Sequence, residues 1–420
     1  MSLPLRLKLC AMLVIATVLA SPATLAVTGV VIDQVTQMPI AGAIVTTSAG
    51  VTRTDEQGRF DIQQAVTSIA VRAPGYLRSN MQISNERTMT LTLAPFQPKA
   101  VYLSVYGITS TTLRRAAVDL TEHTAINALV IDIKGDRGLT PYRSHAREMI
   151  GAAAKVTERV PFVSDFPGLL AELHARHLYL IARIVVYKDE PLAQAHPEWN
   201  VHDAQGKPWR DREGLQWMDP FSRDVWQHNL DVAEEAARMG FDEIQFDYVR
   251  FPDQGGLRFA LPNTRDNRTE AITGFLQAAR ARLAPYNVFI AADIFGYVCW
   301  NTNDTAIGQQ LEQLDAALDY ISPMLYPSGF TWGLPSLADP VAEPGQIVER
   351  SLTQAIRRTG LAGVRFRPWL QAFRDYAFDH RQFDAKAIRA QTDAAEAAGA
   401  DGWMLWNPRN QYDANDLPRR

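Results

Sequence analysis

The sequence predicts an α/β fold, a (β/α)8 barrel preceded by a small all-β sandwich. Three observations predict it. From residue 100 onward, apolar runs rich in β-branched and aromatic residues recur eight times, and each gives way to a stretch of helical period. Before residue 94 the apolar residues alternate in short runs separated by turn residues, the period-2 signature of strands at sandwich spacing. No G-x-G-x-x-G follows the first long run, and neither a P-loop nor a G-x-S-x-G occurs. An open doubly wound sheet is therefore the runner-up, and an α/β-hydrolase is disfavoured.

The 420 residues open on a segment of export type. Arg6 and Lys8 precede an apolar run over 9–20, and Ser21 to Ala26 offers small residues for cleavage after Ala23 or Ala26. That run falls short of the ~20 residues a bilayer span needs. Residues 1–26 are thus expected to be a cleaved signal peptide, and the mature chain to be exported, periplasmic or secreted, without stable membrane insertion. Cleavage would remove Cys10 and leave Cys299 alone, so the exported chain would depend on its core and not on disulfides. Charge excludes another class. With 42 Lys+Arg against 46 Asp+Glu the formal charge is -4, the opposite of a phosphate-binding footprint. No nucleic-acid partner is expected.

Residues 27–94 carry the sandwich pattern. Gly29-Val30-Val31-Ile32-Asp33, Pro39-Ile40-Ala41-Gly42-Ala43, Thr54-Asp55-Glu56-Gln57-Gly58-Arg59-Phe60 and Ala73-Pro74-Gly75-Tyr76 resemble the carboxypeptidase regulatory-like, transthyretin-like sandwich. Asp55 and Gly58 suit a tight turn leading into the strand of Phe60. The resemblance implies a module without chemistry of its own. Prolines 95 and 98 make residues 95–99 a stiff linker.

The barrel is expected over 100–408, with residues 409–420 as a tail. Its strands are expected at 101–106, 128–133, 178–186, 243–248, 288–294, 320–325, 366–372 and 402–406, and helices at 166–177, 225–239 and 385–398 among others. The C-terminal strand ends of such a barrel open into the active-site mouth. Polar residues there are informative. The second run ends in Asp132 and Lys134, and the third contains Arg183 and leads to Tyr187. The fourth ends in Asp247, Tyr248 and Arg250, the fifth in Asp293, and the sixth leads to Tyr326. The seventh carries Trp369 and Gln371, the eighth Trp406, and Tyr106 ends the first.

Carboxylates with Arg, Lys, Tyr and Trp around one mouth point to a carbohydrate. Glycoside hydrolysis needs two carboxyl groups, one giving a proton and one acting as nucleophile or base, while aromatic faces cover sugar C–H groups. Asp132, Lys134, Arg183, Tyr187, Tyr248, Arg250, Tyr326, Trp369, Gln371 and Trp406 form the expected substrate-binding set. No cofactor and no metal are expected. His174 and His177 ride an amphipathic helix as H-x-x-H and are expected to face solvent.

Gly240-Phe241-Asp242-Glu243-Ile244-Gln245-Phe246-Asp247-Tyr248-Val249-Arg250-Phe251-Pro252 is the strongest marker of kinship. With His196-Pro197-Glu198-Trp199, Trp217-Met218-Asp219-Pro220, Ala291-Ala292-Asp293-Ile294-Phe295-Gly296 and the run 319–327, it resembles a bacterial family of glycoside-hydrolase-like TIM barrels, long catalogued as a domain of unknown function. The resemblance spans residues 99–408 and implies a fold and a reaction class without a substrate. It also implies Asp247 as nucleophile or base, since many related barrels carry that group at the fourth strand end. Asp293 is the expected acid, although related barrels often have Glu on the fifth strand. Asp132 is its rival. The structural alternatives are an Asp247 paired with Arg250 or Lys134, and an Asp132–Lys134 ion pair beneath the site. A carbohydrate-binding barrel without hydrolysis is the functional alternative. The stretch 188–226, with Trp199, Trp209, Trp217 and Trp226, reads either as a lid with stacking surfaces or as a hydrophobic mini-core, Trp226 belonging to a helix core.

Overall fold

The computed structural model describes residues 27–419 except 65, 84–87 and 157–161. The expected signal peptide lies outside the described residues. Among these, no helix is long and apolar enough to cross a membrane.

Seven strands build the sandwich: β1 (Val27–Asp33), β2 (Ile44–Thr47), β3 (Gly50–Arg53), β4 (Arg59–Ile62), β5 (Ser68–Arg72), β6 (Ser79–Gln82) and β7 (Thr88–Leu93). One sheet runs β4-β1-β7 and the other β3-β2-β5-β6. β7 alternates exposed and buried at every residue. Its period therefore sends Met89, Leu91 and Leu93 inward, to meet Val31, Val45, Phe60 and Val71 between the sheets.

Eight strands follow: β8 (Lys99–Leu103), β9 (Ala128–Lys134), β10 (Tyr179–Val185), β11 (Glu243–Asp247), β12 (Phe289–Phe295), β13 (Tyr320–Met324), β14 (Trp369–Gln371) and β15 (Trp403–Trp406). They close in chain order into a parallel barrel, β15 pairing with β8. β9 and β10 are buried at every residue, because a parallel sheet inside a ring of helices is covered on both faces. Alternate residues divide between two cores. Ala100, Tyr102, Val130, Ile181, Ala291 and Met404 fill the interior, whereas Leu129, Ile131, Leu180, Ile244, Ile290 and Ile321 face the helices.

The three expected helices form as Phe166–Ala175, Arg223–Met239 and Ala385–Ala397. Asp165, Ser222 and Asp384 cap them by accepting from the backbone N–H of Gly168, Val225 and Ala387, satisfying donors that a helix start leaves free. Two strands depart most from the expected bounds. Ser104 caps a short helix, Val105–Thr109, so Tyr106 rides that helix, 44% exposed, and ends no strand. β14 is confined to Trp369–Gln371 because Pro368 has no N–H for the ladder, and Phe366 reaches Ile321 only as an isolated bridge.

The sandwich seats on the N-terminal end of the barrel. Arg72, 1% exposed, lies 3.5 Å from Asp319 and 3.3 Å from Asn287. Arg78 donates to Asp242 at 3.0 Å and to the Gly240 carbonyl at 2.9 Å, and the Tyr320 hydroxyl accepts from the Gly75 N–H at 3.1 Å. The linker closes the same end, with Phe96 against Tyr179 at 5.6 Å and the Pro98 carbonyl accepting from Trp403 at 3.0 Å. Gly402, at φ 73°, is required there: a Cβ would come within 1.9 Å of the Pro98 oxygen. The tail packs back on the seam between β15 and β8, where Asn410 accepts from the Ser104 hydroxyl at 2.6 Å and Tyr412 donates to the Tyr102 carbonyl at 3.1 Å.

Candidate active site

Strand parity places the polar ends. Asp132 stands opposite Arg183, and Arg183 opposite Gln245, all with interior parity. On the next pair of strands Phe246 stands opposite Ala292. One step further, Asp247 and Asp293 are therefore neighbours on adjacent strands, whose axes lie ~4.8 Å apart.

Arg183, 1% exposed, is the hub. Its Nη1 donates to Asp132 at 2.7 Å, its Nη2 to Asp136 at 3.0 Å and to Asp247 at 2.5 Å, and its Nε to Asp247 at 2.9 Å. The guanidinium lies 4.8 Å from the centre of the Trp406 ring, which stacks on Tyr102 at 3.9 Å. The Tyr102 hydroxyl in turn donates to Asp132 at 2.6 Å. Burial pushes the Asp132 carboxyl up to about 6, against the pull of Arg183.

Asp247 and Asp293 occupy unlike environments. Asp247 accepts a third hydrogen bond from the Tyr248 N–H at 2.5 Å. Tyr248 has φ 48°, a left-handed conformation rare for a bulky residue. Such a kink costs about 1–3 kcal/mol, and it directs the chain from β11 outward. Asp293 is 1% exposed. Its Oδ1 accepts from the Trp369 indole at 2.7 Å, and its Oδ2 is buried with no partner among the described residues. Burial first, and then the charge of Asp247, holds its carboxyl well above the usual carboxylate range. Burial, followed by Asp293 and Asp247, also pushes the Tyr326 phenol well up, leaving it a neutral donor near both acids.

A cavity of about 890 Å³ opens at this end of the barrel. Seven of the expected residues line it: Arg183, Asp247, Tyr248, Arg250, Tyr326, Trp369 and Trp406. Asp132 and Asp293 lie behind that wall, and three other residues are not brought to it. Lys134 is fully buried and donates to Asp189 at 2.9 Å. A register shift leaves Ile133 without an opposite residue and sets Lys134 against Ile184. A one-residue bulge thus reverses its facing, and it forms no pair with Asp132 or Asp247. Tyr187 shares the interior parity of Ile181 and Arg183, but it lies two residues past the end of β10, where the period no longer holds, and it packs among the helices on Phe275 at 6.0 Å. Gln371 is spent on the turn after β13, accepting from the Ser328 N–H at 3.0 Å and donating to its hydroxyl at 2.7 Å. Among the described residues Arg250 meets no carboxylate either; it lies over Trp217 and Tyr248 at 5.0 and 5.2 Å.

The stretch 188–226 is a mini-core that borders the mouth. Trp217 packs on Tyr248 at 5.5 Å, Trp209 on Trp217 at 6.1 Å, and Trp199 stacks on His196 at 3.9 Å. Trp226 packs on Phe275 in the helix layer. None of the four lines the cavity, which takes Glu213 from this stretch instead, held by Lys188 at 2.7 Å. Sequence reasoning missed Glu213, Asp136, Phe373, Arg374, Tyr376 and Arg409, which lie on loops where no period fixes direction. Tyr102 was legible from parity with Ala100. His174 is tied to Asp242 at 2.9 Å and does not point freely into solvent. Among the described residues no group of three His, Cys, Asp or Glu side chains is placed to hold a metal ion.

The family model described as "Putative glycosyl hydrolase domain" matches residues 100–412. The chain belongs to this family. The glycosyl hydrolase domain therefore comprises the barrel and the start of the tail that seals it. No curated protein matches the chain in sequence. A hypothetical protein from Ruminiclostridium thermocellum is 35% identical over 46% of this chain and 96% of its own, with a TM-score of 0.39. The PgaB (BpsB) glycoside hydrolase domain from Bordetella bronchiseptica is 17% identical over 76% of this chain and 97% of its own, with a TM-score of 0.55, a likeness of fold. Across the mouth of this glycosyl hydrolase domain, one carboxyl is clasped by three donors and its neighbour keeps an oxygen without a partner.

Proposed function

We propose that the chain, once exported, cleaves a glycosidic bond in a polysaccharide or cell-envelope glycan, with Asp247 as nucleophile or base and Asp293 as acid. The contrast between the two carboxyls carries this reading. Asp247 accepts from Arg183 twice and from the Tyr248 N–H once, so three donors, two of them from a cation, orient its oxygens. Asp293 is desolvated beside that charge, the setting that keeps a proton on a carboxyl until a leaving oxygen takes it. Trp406 and Tyr248 offer faces for the sugar, and Tyr326 a neutral donor for a hydroxyl.

The test is turnover by Asp247→Asn and Asp293→Asn on a panel of bacterial exopolysaccharides and peptidoglycan, with product analysis. Each substitution should lower turnover by about 10²–10⁴ or more while circular dichroism stays unchanged. Normal turnover by both variants would sink the assignment. A barrel that binds carbohydrate without cleaving it is the second reading. The 1% exposure of Asp293 favours it, since a proton donor must meet its acceptor; glycan binding by the wild type without any product would select it.

A further inference from the structure

The charges of the cavity are unevenly satisfied. All three of its acids are engaged by the protein: Asp136 and Asp247 by Arg183, at 3.0 and 2.5 Å, and Glu213 by Lys188 at 2.7 Å. The lining arginines other than Arg183 are not. Arg250 donates to the Phe251 carbonyl and Arg374 to the His380 carbonyl. Among the described residues neither these two nor Arg409 has a carboxylate partner. Arg374 and Arg409 are exposed, so their guanidinium edges are available at the rim. In a chain of formal charge -4, the cavity thus presents cations whose usual partners are missing. Beside Arg374, Phe373 and Tyr376 stack at 6.2 Å with planes 8° apart, and Tyr376 is 60% exposed, a ring surface next to a planar fork of donors.

We propose that the glycan taken by this cavity is anionic, its carboxylate, sulfate or phosphate groups being read by Arg374 and Arg409 at the rim and by Arg250 deeper in. A guanidinium binds such groups through two parallel N–H donors, whereas a neutral glycan leaves these donors to water and a polymer of free, protonated amino sugars is repelled. The proposal rests on the glycosidase reading only in taking the cavity as the glycan site.

The experiment is calorimetric binding to the full chain. The anionic probes are oligogalacturonate, a sulfated galactan oligosaccharide and a glycerol-phosphate oligomer; carboxyl-reduced oligogalacturonate and desulfated galactan serve as neutral counterparts, and a chitosan oligosaccharide as the cationic one. An anionic probe should bind at least about tenfold tighter than its neutral counterpart and weaken as salt rises. The double variant R374Q/R409Q should lose about tenfold for that probe and keep its thermal midpoint; which anion binds separates uronate from sulfate and phosphate sources. Tighter binding of a neutral or cationic probe, no binding of any anionic one, or unchanged affinity in the double variant would overturn the proposal. Binding of an anionic probe that is never cleaved would sink the hydrolase reading and leave this one standing.

Discussion

Replacing Arg183 by Met tests the heart of the site. The substitution keeps the bulk of the stem and removes the charge that pairs with Asp132, Asp136 and Asp247, leaving Asp132 at 3% and Asp247 at 5% exposure without an ion-pair partner among the described residues. Breaking a buried pair from one side costs about 3–5 kcal/mol. Unfolding entropy near ~2.1 cal/mol/K per residue gives roughly 0.8 kcal/mol/K for a chain of this length, so the midpoint should fall by about 4–6 °C. Differential scanning calorimetry at pH 7 measures it. Adding Asp132→Asn removes one stranded charge, so the pair should couple by about 1 kcal/mol or more and recover part of the loss. Turnover should stay at least about a hundredfold down in both variants, because Asp247 has lost two of its three donors. An unchanged midpoint, or strict additivity of the two substitutions, would refute the idea that one arginine holds these carboxyls together.

Other consequences are open to direct measurement. Asp132 binds its proton more tightly folded than unfolded, so its contribution to stability is full below about pH 4 and is lost as pH rises through about 6; in urea titrations Asp132→Asn should gain on the wild type from pH 4.5 to pH 7, and a constant difference would exclude this. Trp369→Phe removes a donor that favours the charged form of Asp293, so the alkaline limb of the turnover profile should move to higher pH; a move to lower pH would contradict the acid role. Arg72→Ala strands Asp319 at the base of the barrel, where Arg280 remains as a partner at 3.0 Å. The cost should be about 1–3 kcal/mol, read as a lower midpoint with turnover unchanged at 25 °C.

Period and parity made much of this molecule legible. Continuous apolar runs identified the barrel strands because both faces of a parallel sheet are covered, and interior parity turns Asp132, Arg183, Asp247 and Asp293 into the barrel. Two of the misplacements share one cause, that parity holds only while register holds. The bulge at Ile133 turned Lys134 outward, and Tyr187, of interior parity, lies beyond the last residue of its strand, where the alternation has ended and the ring turns to the helices. Gln371 has interior parity yet is consumed by Ser328, a partner 43 positions away that no local pattern reveals. Loop residues such as Glu213 and Arg409 reach the cavity through chain excursions that no period describes.

The seat of the sandwich sets a limit on how this protein can be dismantled. Asp319 and Asp242 are buried by Arg72 and Arg78 of another module, and Phe96 of the linker packs under Tyr179. Cutting the chain at residues 95–99 and removing the β-module would bare acids and rings at the foot of β10, β11, β12 and β13, beneath the strands that carry Arg183, Asp247 and Asp293. The two modules should accordingly melt in one transition, and the β-module works as the barrel's floor, not as cargo that could be exchanged for another.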